Sequence, residues 1–304
     1  MTQKNRVAQI SIGIIAFIFI LGIIFYIQTK QVVSPAENKV EGILIGAGDI
    51  ADCPPLWAAK TTDLLKTASG SVIFTLGDNS YPNGSPASFT NCYGLTWGQF
   101  KEQTKPAVGN RDYRTPDARG YFDYFGKNAG DREKGYYSYN IGSWHVIVLN
   151  SNCDYVGGCE KTSPQGKWLI DDLAESTSAC TLAYWHHPLF ASNKTGNSFV
   201  KPFWETLYAA GAELVLNGHN HAYERFFPQN PQGEKDLDKG ILEIIAGTGG
   251  SSLSKTGSIA KNSARQNDKT FGVLKLTLYP ERYRWEFIPV EGMTFADSGN
   301  GACH

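Results

Sequence analysis

Apolar residues fall along this chain in short blocks, and most blocks end in a polar turn. Residues 42–46, 72–76, 105–108, 181–185 and 213–216 are four or five residues long, apolar or β-branched, and too short for helices. They predict buried strands. Between them the apolar period lengthens. After Pro54-Pro55, the residues Trp57, Leu64, Leu65 and Ala68 share one helical face; after Ser163-Pro164, so do Trp168, Leu169 and Leu173. Pro202 opens a third helix carrying Phe203, Trp204, Leu207 and Tyr208, with Gly211 at its end. Residues 136–141 and 144–150 flank Gly142-Ser143 as a hairpin. Strands 241–246, 271–278 and 282–288 follow, the last two a hairpin. Helix and strand alternate early and strands dominate late, which fits one α/β domain with two sheets.

The N-terminus differs in kind. Residues 10–27 are uncharged and almost wholly apolar; as a helix they would span roughly 27 Å, close to the ~30 Å bilayer core. Lys4 and Arg6 precede the run, so the charge bias puts the short N-terminus inside and the main body outside. A cleaved signal peptide is the rival, but Ser34-Pro-Ala36 lies late and carries a Pro, which favours an uncleaved anchor. A buried core helix is the blander alternative. The division expected is residues 1–28 as N-terminus and transmembrane anchor, 29–40 as a polar linker, and 41–304 as the catalytic domain. That topology puts the domain outside the cytoplasm, or secreted if the segment is cleaved.

The net charge of −1 over 304 residues offers no electrostatic case for nucleic acid. Six cysteines do change the picture, because an even count outside the cytoplasm implies disulfides. Cys53 and Cys92 follow two successive Asp turns and can brace both. Cys153 and Cys159 bracket a Gly-Gly loop and can pair locally; Cys180 and Cys303 remain. Spacing alone leaves the connectivity open.

The chemistry sits in the turns. Five strands end in Gly48-Asp49, Gly77-Asp78-x-x-Tyr81, Gly109-Asn110, Trp185-His186 and Gly218-His219-x-His221. One Gly-Asp is only a turn signal. Five strand ends offering carboxylate, phenol, amide and imidazole suit two adjacent first-row metal ions sharing one Asp, since strand carboxyl ends are where α/β sheets bind ligands. Residues 217–225, Asn-Gly-His-Asn-His-Ala-Tyr-Glu-Arg, are the most specific signature, two imidazoles at i and i+2 on a turning backbone. No nucleophile-elbow serine and no Walker-type loop is present.

These motifs resemble those of the calcineurin-like metallophosphoesterases, and Tyr81 three places after Asp78 resembles the purple acid phosphatase branch. The resemblance implies a four-layer α/β/β/α sandwich of two mixed sheets. It implies Asp49, Tyr81 and His221 on a first, ferric metal, Asp78 as a bridge, and Asn110, His186 and His219 on a second, a divalent iron, zinc or manganese. The activity implied is hydrolysis of small phosphate esters by a metal-held hydroxide. The chain departs from the family at Gly109-Asn110-Arg111-Asp112, where a His usually follows the Asn, and at residues 193–196, where a second substrate-facing His is missing. Arg111 can bind a phosphate oxygen but cannot supply a proton near neutral pH. Esters with good leaving groups, or a substitute acid such as His187, are therefore expected. Phosphodiester or nucleotide hydrolysis, or a non-catalytic metal-bearing binding domain, is the alternative. Asp112 is read as a partner of Arg111, Glu224-Arg225 as a structural ion pair, Asn150 as a candidate second-layer residue, and His145 as a satisfied structural His. Oligomeric state is not legible.

Overall fold

A computed structural model describes residues 39–68, 70–192 and 196–304. The apolar run of residues 10–27 lies outside the described residues; among them, no helix is long and apolar enough to cross a membrane. Residues 193–195, where the second family His was sought, also lie outside.

The predicted strands form, and the parallel ones are buried on both faces. β1 (Gly42–Ala47), β2 (Val72–Leu76) and β3 (Thr104–Ala107) come first. β4 (Tyr137–Ile141), β5 (Trp144–Val148), β6 (Cys180–Trp185) and β7 (Leu214–Asn217) follow. Then come β8 (Tyr223–Phe226), β9 (Leu242–Ala246) and β10 (Ser263–Asn267). β11 (Gly272–Tyr279), β12 (Arg282–Pro289) and β13 (Asp297–Ala302) close the chain. One sheet has the order β13-β12-β11-β1-β2-β3, the other β10-β8-β9-β7-β6-β5-β4. Both are mixed. β1, β2 and β3 are parallel, as are β5, β6, β7 and β9, while the remaining pairs are antiparallel.

Strand side chains alternate between two cores, which is why these runs read as continuously apolar. Leu44, Phe74, Leu76, Leu182, Tyr184, Leu214, Leu216 and Leu276 point into a core shared by both sheets. Ile45, Ala47, Ile73 and Val273 face the other side of the first sheet. There they meet Ala58 and Leu65 of α1 (Leu56–Leu65) and Tyr121, Phe122 and Phe125 of α2 (Arg119–Phe125). Ile147, Ala183, Trp185 and Val215 do the same on the second sheet against α3 (Pro164–Glu175) and α4 (Lys201–Ala209). Three apolar interfaces thus separate four layers, and each fully buried Leu or Phe contributes about 1.5–3 kcal/mol. The Ser163 side chain caps α3 by accepting from the Gly166 N–H at 3.1 Å.

α1 departs in detail from its apolar pattern. Its most buried face is Ala58, Thr61, Thr62 and Leu65, while Trp57 is half-buried and stacked on Phe271 at 4.5 Å. Thr61 sits inside because its hydroxyl donates to Gly249 O at 2.6 Å and accepts from Trp97 at 3.0 Å. All six cysteines are paired, as Cys53–Cys92, Cys153–Cys159 and Cys180–Cys303.

Candidate metal centre

The carboxyl ends of the parallel strands from both sheets meet at one rim. The first sheet delivers Asp49, Asp78, Tyr81 and Asn110 beyond β1, β2 and β3; the second delivers His186, His219 and His221 beyond β6 and β7. The turns are stiff. The Asp49, Ile50 and Ala51 amides donate to Gly77, Asp78 and Asn79 carbonyls at 3.1–3.2 Å, and Tyr81 N returns to Ala51 O at 2.8 Å. Asp49, Asp78 and His219 hold left-handed backbone, with φ of 57°, 50° and 67°. L-residues adopt that region at a cost that surrounding structure must offset. Gly109 is required by close approach. A β-carbon there would lie 2.0 Å from Asp78 N and 2.2 Å from Asp78 Oδ1.

The side chains form two adjoining donor sets. In one, Tyr81 Oη lies 2.9 Å from Asp49 Oδ1, 2.9 Å from His221 Nε2 and 3.1 Å from Asp78 Oδ2. In the other, His186 Nε2 lies 3.0 Å from Asn110 Oδ1, 3.3 Å from Asp78 Oδ1 and 3.3 Å from His219 Nδ1; His219 Nδ1 is 3.1 Å from the same Asn110 oxygen. Asp78 belongs to both, one oxygen to each.

Orientation of the rings decides what the cluster accommodates. His186 Nδ1 meets Leu76 O at 2.7 Å, and His221 Nδ1 meets Ser252 O at 2.6 Å. A carbonyl only accepts, so both Nδ1 atoms carry hydrogen and both Nε2 atoms turn inward. Acceptors thus converge in a largely buried site, an arrangement that protons or metal cations reconcile. Burial pushes the Asp49 and Asp78 carboxyls up, but the His221 and His186 imidazoles outweigh it and hold both below the usual range. Burial lowers His186 and His221, and Asp78 and Asp49 more than reverse this, raising each to about 9. Burial, then Asp49 and Asp78, push the Tyr81 phenol well above 10. Without metal the cluster holds protons; the same donors, deprotonated, fit two cations. Asp49, Asp78 and His186 offer ligand atoms within 4.8 Å of one another, as do His186, His187 and His219.

The other candidates divide. Arg111 is brought in: its amide donates to Asp78 Oδ1 at 2.7 Å, its Nε is 3.9 Å from Asp78 Oδ2, and its guanidinium lies 5.5 Å from the Tyr81 ring centre. His187 is buried at the cluster's edge, 4.5 Å from His219 between ring centres, with Nδ1 2.8 Å from Ser151 Oγ. Asp112 does not pair with Arg111. It turns inward to accept from Gly109 N and Asn79 Nδ2, both at 2.9 Å, and burial with Asp78 nearby raises it to about 7. Glu224 and Arg225 do not pair either, because neighbours on β8 point to opposite faces. Arg225 binds Asp297 at 2.6 Å, and Glu224 binds Ser192, Ser263 and Gln266. Asn150 holds Tyr113 and Lys134 rather than the cluster. His145 is tied to Asn140 and Asp172. Ser151 and Ser252 escaped the sequence reading. Ser151 stands just beyond β5, where the strand-end rule applied elsewhere points to it; Ser252 acts through a carbonyl, which no side-chain pattern reveals.

The calcineurin-like phosphoesterase family profile matches residues 30–223. The chain belongs to that family. Among its relatives is purple acid phosphatase 15 of Arabidopsis thaliana, 26% identical over 269 residues, covering 75% of this chain and 48% of that protein. Another, from the same plant, is named probable inactive purple acid phosphatase 24, 24% identical over 298 residues, covering 82% and 46%. The chain thus spans about half the length of these curated relatives. A purple acid phosphatase from yellow lupin (Lupinus luteus) seeds shares the fold with a TM-score of 0.69 at 18% identity, over 88% of this chain and 55% of that one. The calcineurin-like fold explains why the donors stand at strand ends of two facing sheets.

Proposed function

We propose that this chain is a binuclear-metal phosphohydrolase acting on phosphomonoesters. The observation that carries the reading is Asp78, whose two oxygens face two different donor sets. In this reading Asp49, Tyr81 and His221 would hold a ferric ion, Asn110, His186 and His219 would hold a divalent iron, zinc or manganese, and Asp78 would serve both. Once bound, such a pair activates water near neutral pH and neutralises charge gathering on the phosphoryl oxygens. Arg111, about a third exposed beside Asp78, binds a phosphoryl oxygen with a fixed positive charge. His187, buried at the edge of the donor cluster with Nδ1 held at Ser151 Oγ, is the acid for the departing oxygen. Three disulfides support an oxidising, extracytoplasmic setting for the domain, with residues 10–27 as its membrane anchor.

The test uses the full-length chain loaded with iron and zinc, and compares p-nitrophenyl phosphate with its bis-ester. Faster monoester turnover, lowered more than about 100-fold in Asp78→Asn, is expected. Preference for the bis-ester would shift the assignment to phosphodiester hydrolysis. Two bound metals with no turnover of either would leave a metal-bearing binding domain.

A further inference from the structure

Beside the candidate metal centre lies a cavity of about 360 Å³, within the range of small-molecule sites. Asn110 and His187 line it together with Asp154, Tyr155, Phe199 and the Cys153 loop. Asn110 also belongs to the donor cluster, so the cavity opens directly onto it. Two of the lining residues carry large, exposed aromatic rings, Tyr155 at 57% and Phe199 at 42%. They come from separate segments and neither is needed to fill a core. Tyr155 is nonetheless held, stacked on Tyr113 at 4.0 Å between ring centres and 18° between planes, and Tyr113 is fixed by Asn150 at 2.8 Å. The Cys153–Cys159 disulfide closes the loop that carries it. Phe199 sets its ring 5.5 Å from His187 at 71°. Pre-positioned aromatic faces beside a reaction centre suit a flat, apolar group, which stacks at little ordering cost.

Two chemical facts narrow the occupant. Arg111, beside Asp78, cannot assist His187 in protonating a departing oxygen, so a leaving group that needs little help is favoured. An aryl oxide, with a parent pKa near 10, is one; an alkoxide, nearer that of water at about 16, is not. Asp154 is an exposed residue of the same lining, and its negative charge disfavours leaving groups bearing further phosphates. We infer that the cavity between Tyr155 and Phe199 receives the leaving group of the substrate, and that this group is aromatic and uncharged or cationic. Cleavage breaks the bond between phosphorus and the aryl oxygen as a water-derived oxygen bonds to phosphorus; the aryl oxide takes up a proton, giving a phenol and inorganic phosphate.

The inference rests on the phosphohydrolase reading, and the test separates the two. Phenyl phosphate and ethyl phosphate are compared in the metal-loaded full-length chain and in Tyr155→Ala/Phe199→Ala. Phenyl esters react faster for intrinsic reasons, so the quantity read is the change in the phenyl-to-ethyl kcat/KM ratio. A fall of roughly tenfold, carried by KM, is expected. Binding of phenylphosphonate and methylphosphonate is measured by calorimetry alongside. Tighter phenylphosphonate binding that the double variant abolishes supports the assignment. An unchanged ratio with equal phosphonate affinities overturns it and leaves the phosphohydrolase reading intact. If neither ester is hydrolysed, that reading fails, and the phosphonate pair alone decides the cavity's occupant. Tyr155→Phe, which keeps the stack on Tyr113, is expected to retain the preference.

Discussion

Tyr81 shows at a single residue how the site is built. Burial of its phenol, and then the Asp49 and Asp78 carboxylates against it, push its proton loss well above the ordinary range. A neutral phenol is the stable form until a cation enters. Iron loading should therefore create a visible charge-transfer band absent from the metal-free chain. Tyr81→Phe should bind iron without that band, and absorption spectroscopy reads the difference; an identical spectrum would remove Tyr81 from the first metal. Arg111 and Asp112 teach a different lesson. Adjacent opposite charges invite pairing on paper, yet Asp112 is turned inward by the Gly109 amide and Asn79, freeing Arg111 to face the cluster.

At the scale of elements, precision comes from turns rather than strands. The loop after β3 passes so close to Asp78 that only Gly109 fits. Gly109→Ala should displace the shared carboxylate and lower metal affinity by more than about tenfold, as losing a supporting contact does; equilibrium dialysis measures it. The disulfide between Cys180 of β6 and Cys303 beyond β13 joins the two sheets and closes a separation of 123 residues. Removing it in Cys180→Ala/Cys303→Ala should cost about 2–5 kcal/mol, read by chemical denaturation. The edge strands were the hardest elements to foresee. β10, Ser-Ala-Arg-Gln-Asn, and β13, Asp-Ser-Gly-Asn-Gly-Ala, bury little and alternate no apolar face, so only pairing with β8 and β12 makes them strands. β8 reads as the tail of the His turn because it is four residues long and carries two charges.

For the whole molecule, metal and proton compete for one cluster. His186 and His221 are raised from 6.5 to about 9, so in the metal-free chain their stabilising charge is fully present below pH 6.5 and is lost as pH rises through about 9. Asp49 and Asp78 are lowered from 3.8, so their contribution is present above that value and lost as pH falls through the depressed one. Metal requires the imidazoles deprotonated and gains affinity over the same rise. Thermal melts should thus show the metal-free chain weakening from pH 6.5 to 9 while the stabilisation by zinc grows. Calorimetry in two buffers at pH 7.5 should show proton release on binding. A metal-induced shift independent of pH would contradict this account of His186 and His221.

What the sequence determined by itself was local. The short apolar blocks and their Gly-Asp, Gly-Asn and His-x-His endings, residues 42–49, 72–81, 105–110 and 213–221, already specified strands ending in donor groups. Burial on both faces makes such strands unmistakable, and turn chemistry is written in adjacent residues. Only the tertiary structure decided which endings meet. The carboxylates and the amide belong to one sheet and the imidazoles to the other, so the cluster exists only because a shared apolar core brings two sheets face to face. The aromatic cavity follows the same logic: Tyr155 and Phe199 are 44 positions apart, and nothing short of chain folding brings them to one cavity with His187.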